Sequence, residues 1–272
     1  MARIVHSQFE SKDLYYDYAS IKNPSQKDFN PHFHDMTEII FFKSGDISYQ
    51  VGGKKYKLSK NMLVLSRPTD IHCIQVDEGK EYERWNILYD EKKLHFNIYE
   101  KIPQDVNVIN FNENLDIVNI FNKMDFYCKK LSGEDLEKML INLIEEIFIN
   151  IIIEVNENRE NTYTETNPIM YRALEYIDEN LLVIKSIDEI CNQLFITKSH
   201  LHHLFIKHLN ITPKKYITAK RLALARQEIY AGKKATEVCT KCGFQDYSAF
   251  FRAYKKHFGK NPSDIDVKNG GL

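Results

Sequence analysis

One module is written twice between Ser186 and Ile265, and this repeat constrains the fold more than any other feature of the chain. The first copy runs Ile187-Asp188-Glu189-Ile190-Cys191, then Leu194, Leu201, Phe205, Lys207, Leu209, Asn210 and Pro213. The second runs Ala235-Thr236-Glu237-Val238-Cys239, then Cys242, Phe250, Tyr254, Lys256, Phe258, Gly259 and Pro262. Early members pair at a separation of 48 residues (Cys191 with Cys239), and later ones at 49 (Leu201 with Phe250, Pro213 with Pro262). The second copy therefore carries one extra residue in its turn, around Gly243-Phe244. A period of this size marks a duplicated supersecondary unit.

Local signals say what the unit is. Ser186 followed by Glu189 is a capping box that opens a short helix. Thr197 caps a second helix with Leu201, Leu204 and Phe205 on its inner face, and Asp246 caps its counterpart with Phe250, Phe251 and Tyr254. Short helix, tight turn and second helix make a helix-turn-helix, whose second helix enters the major groove of DNA. Pro213 to Ala231 reads as one continuous helix closed by Gly232. At about 20 residues and 1.5 Å per residue it is about 30 Å long. A turn of B-DNA is about 34 Å, so a spacer of that length suits two recognition helices in successive major grooves.

The stretch Gly243-Phe244-Gln245-Asp246-Tyr247-Ser248-Ala249-Phe250-Phe251-Arg252-Ala253-Tyr254-Lys255-Lys256-His257-Phe258-Gly259-Lys260-Asn261-Pro262 resembles the signature of the AraC family of transcription regulators. The first copy, with Leu201, Phe205, Pro213, Tyr216, Arg221, Leu222 and Ala225, is similar to it as well. The resemblance is strong over roughly 168–266 and looser before that. It implies DNA reading through both second helices. Carried over by position, the base-reading residues are Ser199, His202 and His203, then Tyr247, Ser248 and Arg252, with Lys198 also at the start of its helix. Lys207, Lys214, Lys255 and Lys256 would meet phosphates, which position without specifying. His202-His203 depart from the family's Gln-Arg type of pair, so the bases read by the first copy do not follow from the resemblance.

Charge is divided to match. From Pro168 onward 17 basic residues face 10 acidic ones, a net of +7, whereas the part before it has 20 against 28, a net of −8. A basic half suits a polyanion. Residues 1–112 read as β, with strands at Asp35–Phe42, Ile47–Val51, Lys54–Leu58, Asn61–Ser66 and Tyr82–Tyr89 and turns at Ser44-Gly45-Asp46 and Gly52-Gly53. Many short strands suggest a barrel or jelly roll, and the resemblance implies a cupin-like sensor domain. Two amphipathic helices follow over 113–155, broken at Ser132-Gly133. The aliphatic run Ile147-Phe148-Ile149, Ile151-Ile152-Ile153 exceeds what one face needs, which leaves packing on the β domain and a subunit interface both open. The polar stretch 156–167 reads as a linker, and 168–272 as the DNA-binding domain. The expected class is thus α+β: a cupin-like β-barrel with a helical hairpin, then an all-α pair of helix-turn-helix units joined by a long helix.

The β domain holds the remaining chemistry. His32-Phe33-His34, Glu38 and Gly45 fit the first cupin motif, and Pro68 with His72 resembles the second, with the gap one residue short and Asp70 in place of glycine. His32, His34 and Glu38 share strand parity and so one face. These residues and His72 fit a metal-dependent cupin enzyme fused to a DNA-binding module, the alternative reading. The family resemblance implies instead a small-molecule pocket without metal or other cofactor. Arg67 and Trp85 join His32, His34, Glu38 and His72 as expected effector contacts, a sugar being one ligand that an aromatic face beside placed polar groups would suit. Cys239-Thr240-Lys241-Cys242 has no second pair, and both cysteines fall on core positions of the repeat. Five cysteines without a framework spacing, an N-terminus without a signal-like apolar core and no long apolar run together suggest a cytoplasmic protein away from membranes. The expected protein is a homodimeric, non-enzymatic regulator, an activator by family habit, with double-stranded DNA, an effector and RNA polymerase as partners.

Overall fold

The computed structural model describes residues 1–34, 36–52, 54–68, 70–77, 79–90, 94, 101–103, 106–111, 114–157, 167–209 and 211–264. The chain divides into two compact units. One comprises Met1–Asn30, Met36–Pro68 and Cys73–Glu165, and the other Pro31–Asp35, Thr69–His72 and Thr166–Leu272.

The first unit holds strands β1 (Ala2–Glu10), β2 (Leu14–Lys22), β3 (Thr37–Ser44), β4 (Ile47–Val51), β5 (Lys54–Leu58), β6 (Met62–Ser66), β7 (His72–Val76), β8 (Tyr82–Tyr89) and β9 (Val108–Asn110), β7 crossing into the second unit at His72. A six-stranded sheet has the order β1-β2-β8-β3-β6-β9, and a three-stranded sheet the order β5-β4-β7. The expected barrel is corrected by this arrangement: among the described residues there are two open sheets rather than one closed one. Barrel and open sheets ask the same alternation of each strand, so pattern alone does not separate them. The sequence does record the layering. Ile40 and Phe42 join a core shared with the small sheet, through Tyr49, Val51 and Leu58. Ile39 and Phe41 face the other way, into a core shared with the helices α1 (Leu115–Cys128) and α2 (Gly133–Glu157). A central strand covered on both faces needs apolar residues at every position, which explains the unbroken run Ile39-Ile40-Phe41-Phe42.

The aliphatic run of α2 divides between two faces. Ile147, Phe148 and Ile151 pack on the sheet, while Ile149 and Ile153, one turn apart, stay 47% exposed. A half-buried polar node pins α1 to the sheet. Asp125 accepts hydrogen bonds from Trp85 Nε1 at 3.0 Å, from the Tyr16 hydroxyl at 2.6 Å and from the Ser7 hydroxyl. Burial and then the Asp125 charge push the Tyr16 hydroxyl far above its ordinary pKa, so it acts as a fixed donor.

The second unit holds α3 (Pro168–Asn180), α4 (Ile187–Leu194), α5 (Lys198–Leu209), α6 (Pro213–Tyr230), α7 (Ala235–Lys241) and α8 (Tyr247–Phe258). The expected linker 156–167 falls largely on residues outside the described ones; Asn167 is described, and its side chain caps α3 by accepting from the Ile169 and Met170 N–H groups at 3.0 Å. Two small cores form. One is built from α3, α4, α5 and the first half of α6, including Leu201, Phe205, Tyr216 and Ile217. The other takes Leu222, Ala225 and Ile229 from the second half of α6 with Val238, Cys239, Phe250 and Tyr254. Helix α6 is therefore the shared spine, and its 18 residues span about 27 Å. The short segments 31–35 and 69–72 belong to this unit: Ile71 lies in its first core, and the Phe33 ring stacks on His257 at 4.5 Å. No helix among the described residues is long and apolar enough to cross a membrane.

Candidate nucleic-acid interface

Capping sets where each recognition helix begins. The His200 N–H donates to the Thr197 hydroxyl at 3.1 Å, and the Ala249 N–H to the Asp246 carboxylate at 2.6 Å. The Ser186 N–H donates to the Glu189 carboxylate at 3.0 Å, closing the reciprocal half of the capping box. With the starts fixed, helical periodicity sorts the side chains. Leu201, Leu204, Phe205 and Leu209 go to the core from α5, and Phe250 and Tyr254 from α8. Every residue expected to meet DNA is exposed: Lys198, Ser199, His202, His203 and Lys207 on α5, Lys214 in the first turn of α6, and Tyr247, Ser248, Arg252, Lys255 and Lys256 on α8. Lys198 is ion-paired with Asp188 of α4 at 2.7 Å, and this hydrogen bond and charge raise its pKa. Its ammonium must leave Asp188 to take a phosphate.

The two turns reveal where the repeat gains its extra residue. Phe195 and Gly243 occupy the same repeat position, and both adopt the left-handed conformation, with φ of 55° and 79°. After it, the first copy reaches its cap through Ile196 alone, the second through Phe244 and Gln245. Phe195 holds this conformation with a side chain that is 92% exposed. Gly243 has no such freedom. A Cβ there would lie 2.7 Å from the Leu182 carbonyl oxygen and 2.9 Å from the Arg221 guanidinium. Arg221 itself is a clamp. Its Nε donates to the Leu181 carbonyl at 2.8 Å and its terminal nitrogen to that of Ile184 at 2.6 Å, tying α6 to the α3–α4 connection. Burial lowers its pKa.

The cysteines of the second copy are packing residues. Cys239 and Cys242 are buried in the second core, and burial pushes the Cys242 thiol up to about 11. A thiol held that far from its thiolate is a poor metal ligand and nucleophile.

Expected effector residues take unequal places. His32, His34 and His72 come together, with ligand atoms all within 4.8 Å of one another. Glu38 is buried in the first unit, where it accepts the Tyr49 hydroxyl at 3.2 Å. Arg67 is buried and donates to the backbone carbonyls of Val106 at 3.0 Å and Pro103 at 2.7 Å. Trp85 is 1% exposed, with its ring between Tyr18, stacked at 4.7 Å, and Phe121 at 5.4 Å. Sequence reasoning did not find Asp125 or the Arg221 clamp: the partners of Asp125 lie 40 to 118 residues away, and no local pattern announces them.

Comparison with known proteins agrees with this two-part organisation. A family profile described as a helix-turn-helix domain matches residues 190–266, and one described as an AraC-like ligand binding domain matches 16–159, more than half of the chain. The HTH-type transcriptional activator RhaS of Escherichia fergusonii is 22% identical over 253 residues, covering 87% of each chain. RhaS of Yersinia pestis is 21% identical over 248 residues, covering 88% of this chain and 90% of the relative. Among solved structures, an apo ToxT from Vibrio cholerae is 13% identical, covering 93% of this chain and 97% of that one with a TM-score of 0.40. With two capped recognition helices on a shared spine, and with the ligand-binding profile spanning the sheets and the helical hairpin, the chain belongs to the AraC family of transcription regulators, an effector-binding domain joined to a helix-turn-helix DNA-binding domain.

Proposed function

We propose that the chain is a cytoplasmic, non-enzymatic activator that reads one face of double-stranded DNA with α5 and α8 and responds to a small molecule bound by its N-terminal domain. The observation that carries the reading is the partition of the two recognition helices, whose inner residues fill separate cores along α6 while their outer residues stay exposed. Ser199, His202 and His203 read bases from α5, and Tyr247, Ser248 and Arg252 from α8. Arg252 is assigned to guanine, whose O6 and N7 accept both arms of a guanidinium. Lys198, Lys207, Lys255 and Lys256 neutralise phosphates. The activator role is supported by the printed function of the RhaS relatives, and it brings RNA polymerase in as a partner.

The effector is assigned a hydroxyl-rich character, such as a sugar. Glu38 supports this, being a buried carboxylate that already accepts a hydroxyl from Tyr49. Arg67 and Trp85 act behind it as the frame, given their internal partners. Residues 113–155 serve as the dimerisation hairpin, with Ile149 and Ile153 its exposed apolar stripe. The test uses a duplex selected from a random library by the full chain and measures its affinity against salt. Replacing Lys255 or Lys256 by Ala should lower the salt slope by about 1 each at little cost in selectivity. Replacing Arg252 by Ala should cost about 1–3 kcal/mol and relax one base position. Unchanged selectivity in the Arg252 variant would remove it from the reading set.

A further inference from the structure

We propose that His32, His34 and His72 form a binding site for a divalent late first-row transition ion of the zinc type, and that its occupancy stiffens two segments packed onto the DNA-binding helices. The three imidazoles have donor atoms all within 4.8 Å of one another. Backbone pairing brings them there. The His32 N–H donates to the His72 carbonyl at 3.1 Å and the His72 N–H to that of His32 at 3.0 Å, an antiparallel bridge that sets the two side chains next to each other. His34 follows two residues on, which returns it to the same side of an extended chain. The ring of His72 lies 4.6 Å from that of His32 and 4.8 Å from that of His34, edge-on to both.

The orientation of His72 suits a ligand. Its Nδ1 is 2.8 Å from the Asp70 carbonyl oxygen, which can only accept, so Nδ1 is the donor there and Nε2 is the ring atom left to ligate. Metal-ligating histidines use this same outer hydrogen bond to fix ring and tautomer. Among the described residues the group consists of three imidazoles, a donor set that favours zinc, cobalt, nickel or copper over magnesium or calcium. Donors around a tetrahedral ion at about 2.1 Å sit about 3.4 Å apart. Donor atoms within 4.8 Å of one another must close by at most about 1.4 Å to reach that spacing, and His32 is the exposed member of the group. Three histidines leave a fourth position open for water or an oxygen ligand.

The same segments touch the helices. Phe33, between two of the ligands, stacks on His257 at 4.5 Å and meets Phe258 edge-on at 6.2 Å, both in α8. Ile71, next to the third ligand, lies in the core of α3, α4, α5 and α6. An ion bonded to both segments ties the contact on the second recognition helix to the core beneath the first. This coupling rests on the regulator reading above; the metal site itself does not.

The test is a titration of the chelator-stripped full-length chain with Co²⁺, then with Zn²⁺ in competition. One ion per chain is expected, with a visible Co²⁺ absorption band that Zn²⁺ displaces. The band should vanish in His34→Ala and in His72→Ala. In His32→Ala, where an exposed side chain is removed and the circular dichroism should stay unchanged, binding should weaken more than about tenfold. His200→Ala, which takes an exposed imidazole from α5, should bind as the parent does. Saturating Zn²⁺ should change the affinity of the parent for its selected duplex by about fivefold or more, and that of His32→Ala not at all. Absence of stoichiometric binding, binding in His32→Ala as tight as in the parent, or binding lost in His200→Ala overturns the site. Stoichiometric binding with unchanged DNA affinity overturns the coupling, while failure of DNA binding with and without metal speaks against the regulator reading.

Discussion

Replacing Gly243 by Ala should cost the helical unit about 4 kcal/mol, most of it from packing rather than backbone strain. The left-handed conformation at φ 79° costs an alanine about 1–2 kcal/mol. The new methyl would also stand 2.7 Å from the Leu182 carbonyl oxygen and 2.9 Å from the Arg221 guanidinium. The carbonyl belongs to the backbone and cannot swing away. Arg221 can move only by giving up its bonds to the Leu181 and Ile184 carbonyls, and a hydrogen bond to a charged group contributes about 1.5–3 kcal/mol. Gly232 provides the control. It has a φ of 87°, and a Cβ there would meet nothing within 4 Å, so Gly232→Ala should cost only the strain, about 1–2 kcal/mol. Urea denaturation of both variants, followed by the helical circular dichroism, measures the difference. A domain is stable by only about 5–15 kcal/mol, so the Gly243 variant should approach unfolding and lose DNA affinity while the Gly232 variant keeps both. Equal losses at the two glycines would refute the claim that Gly243 is held by the approach of Leu182 and Arg221.

Three further outcomes follow from particular residues. Phe195→Gly should stabilise the chain by about 0.5–1 kcal/mol, because it relieves a left-handed phenylalanine whose ring is already in solvent; a loss of stability would show that the ring makes a contact of its own. With the Cys73, Cys128 and Cys242 thiols pushed up to about 11, native protein at pH 8 should react with iodoacetamide far more slowly than unfolded protein; prompt native labelling at Cys242 would contradict its core role. Ile149→Asp combined with Ile153→Asp should turn a dimer into a monomer by light scattering without loss of helical signal, since both side chains are exposed on α2; an unchanged mass would clear this stripe of the interface.

How much of this was readable from residue order depends on the range of the interaction involved. The helix-turn-helix pair was legible because everything that defines it is local: caps at Ser186, Thr197 and Asp246, apolar residues at helical spacing, and a glycine after α6. The strands were legible where they alternate, and the apolar run Ile39-Ile40-Phe41-Phe42 was legible as strand, but that it is covered on both faces came only with the two cores around it. Closure of the sheet was not legible, because a barrel and two open sheets impose the same pattern on each strand. Long-range polar contacts were not legible either. Trp85 looked like a stacking surface until Asp125, 40 residues on, proved to hold its indole. Glu38 takes the hydroxyl of Tyr49, 11 residues on, and His32 pairs by its backbone with the distant His72, and no local pattern announces either partner.

The most direct test of the central claim is a hydroxyl-radical and methylation-interference footprint of the full chain on its selected duplex. Recognition helices on a spine of about 27 Å should protect two major-groove patches about one helical turn, roughly 10 base pairs, apart on the same face of the DNA. Arg252→Ala should erase guanine interference in one patch and leave the other intact. A single protected patch, patches on opposite faces, or an Arg252→Ala footprint identical to the parent's would contradict reading by α5 and α8 together.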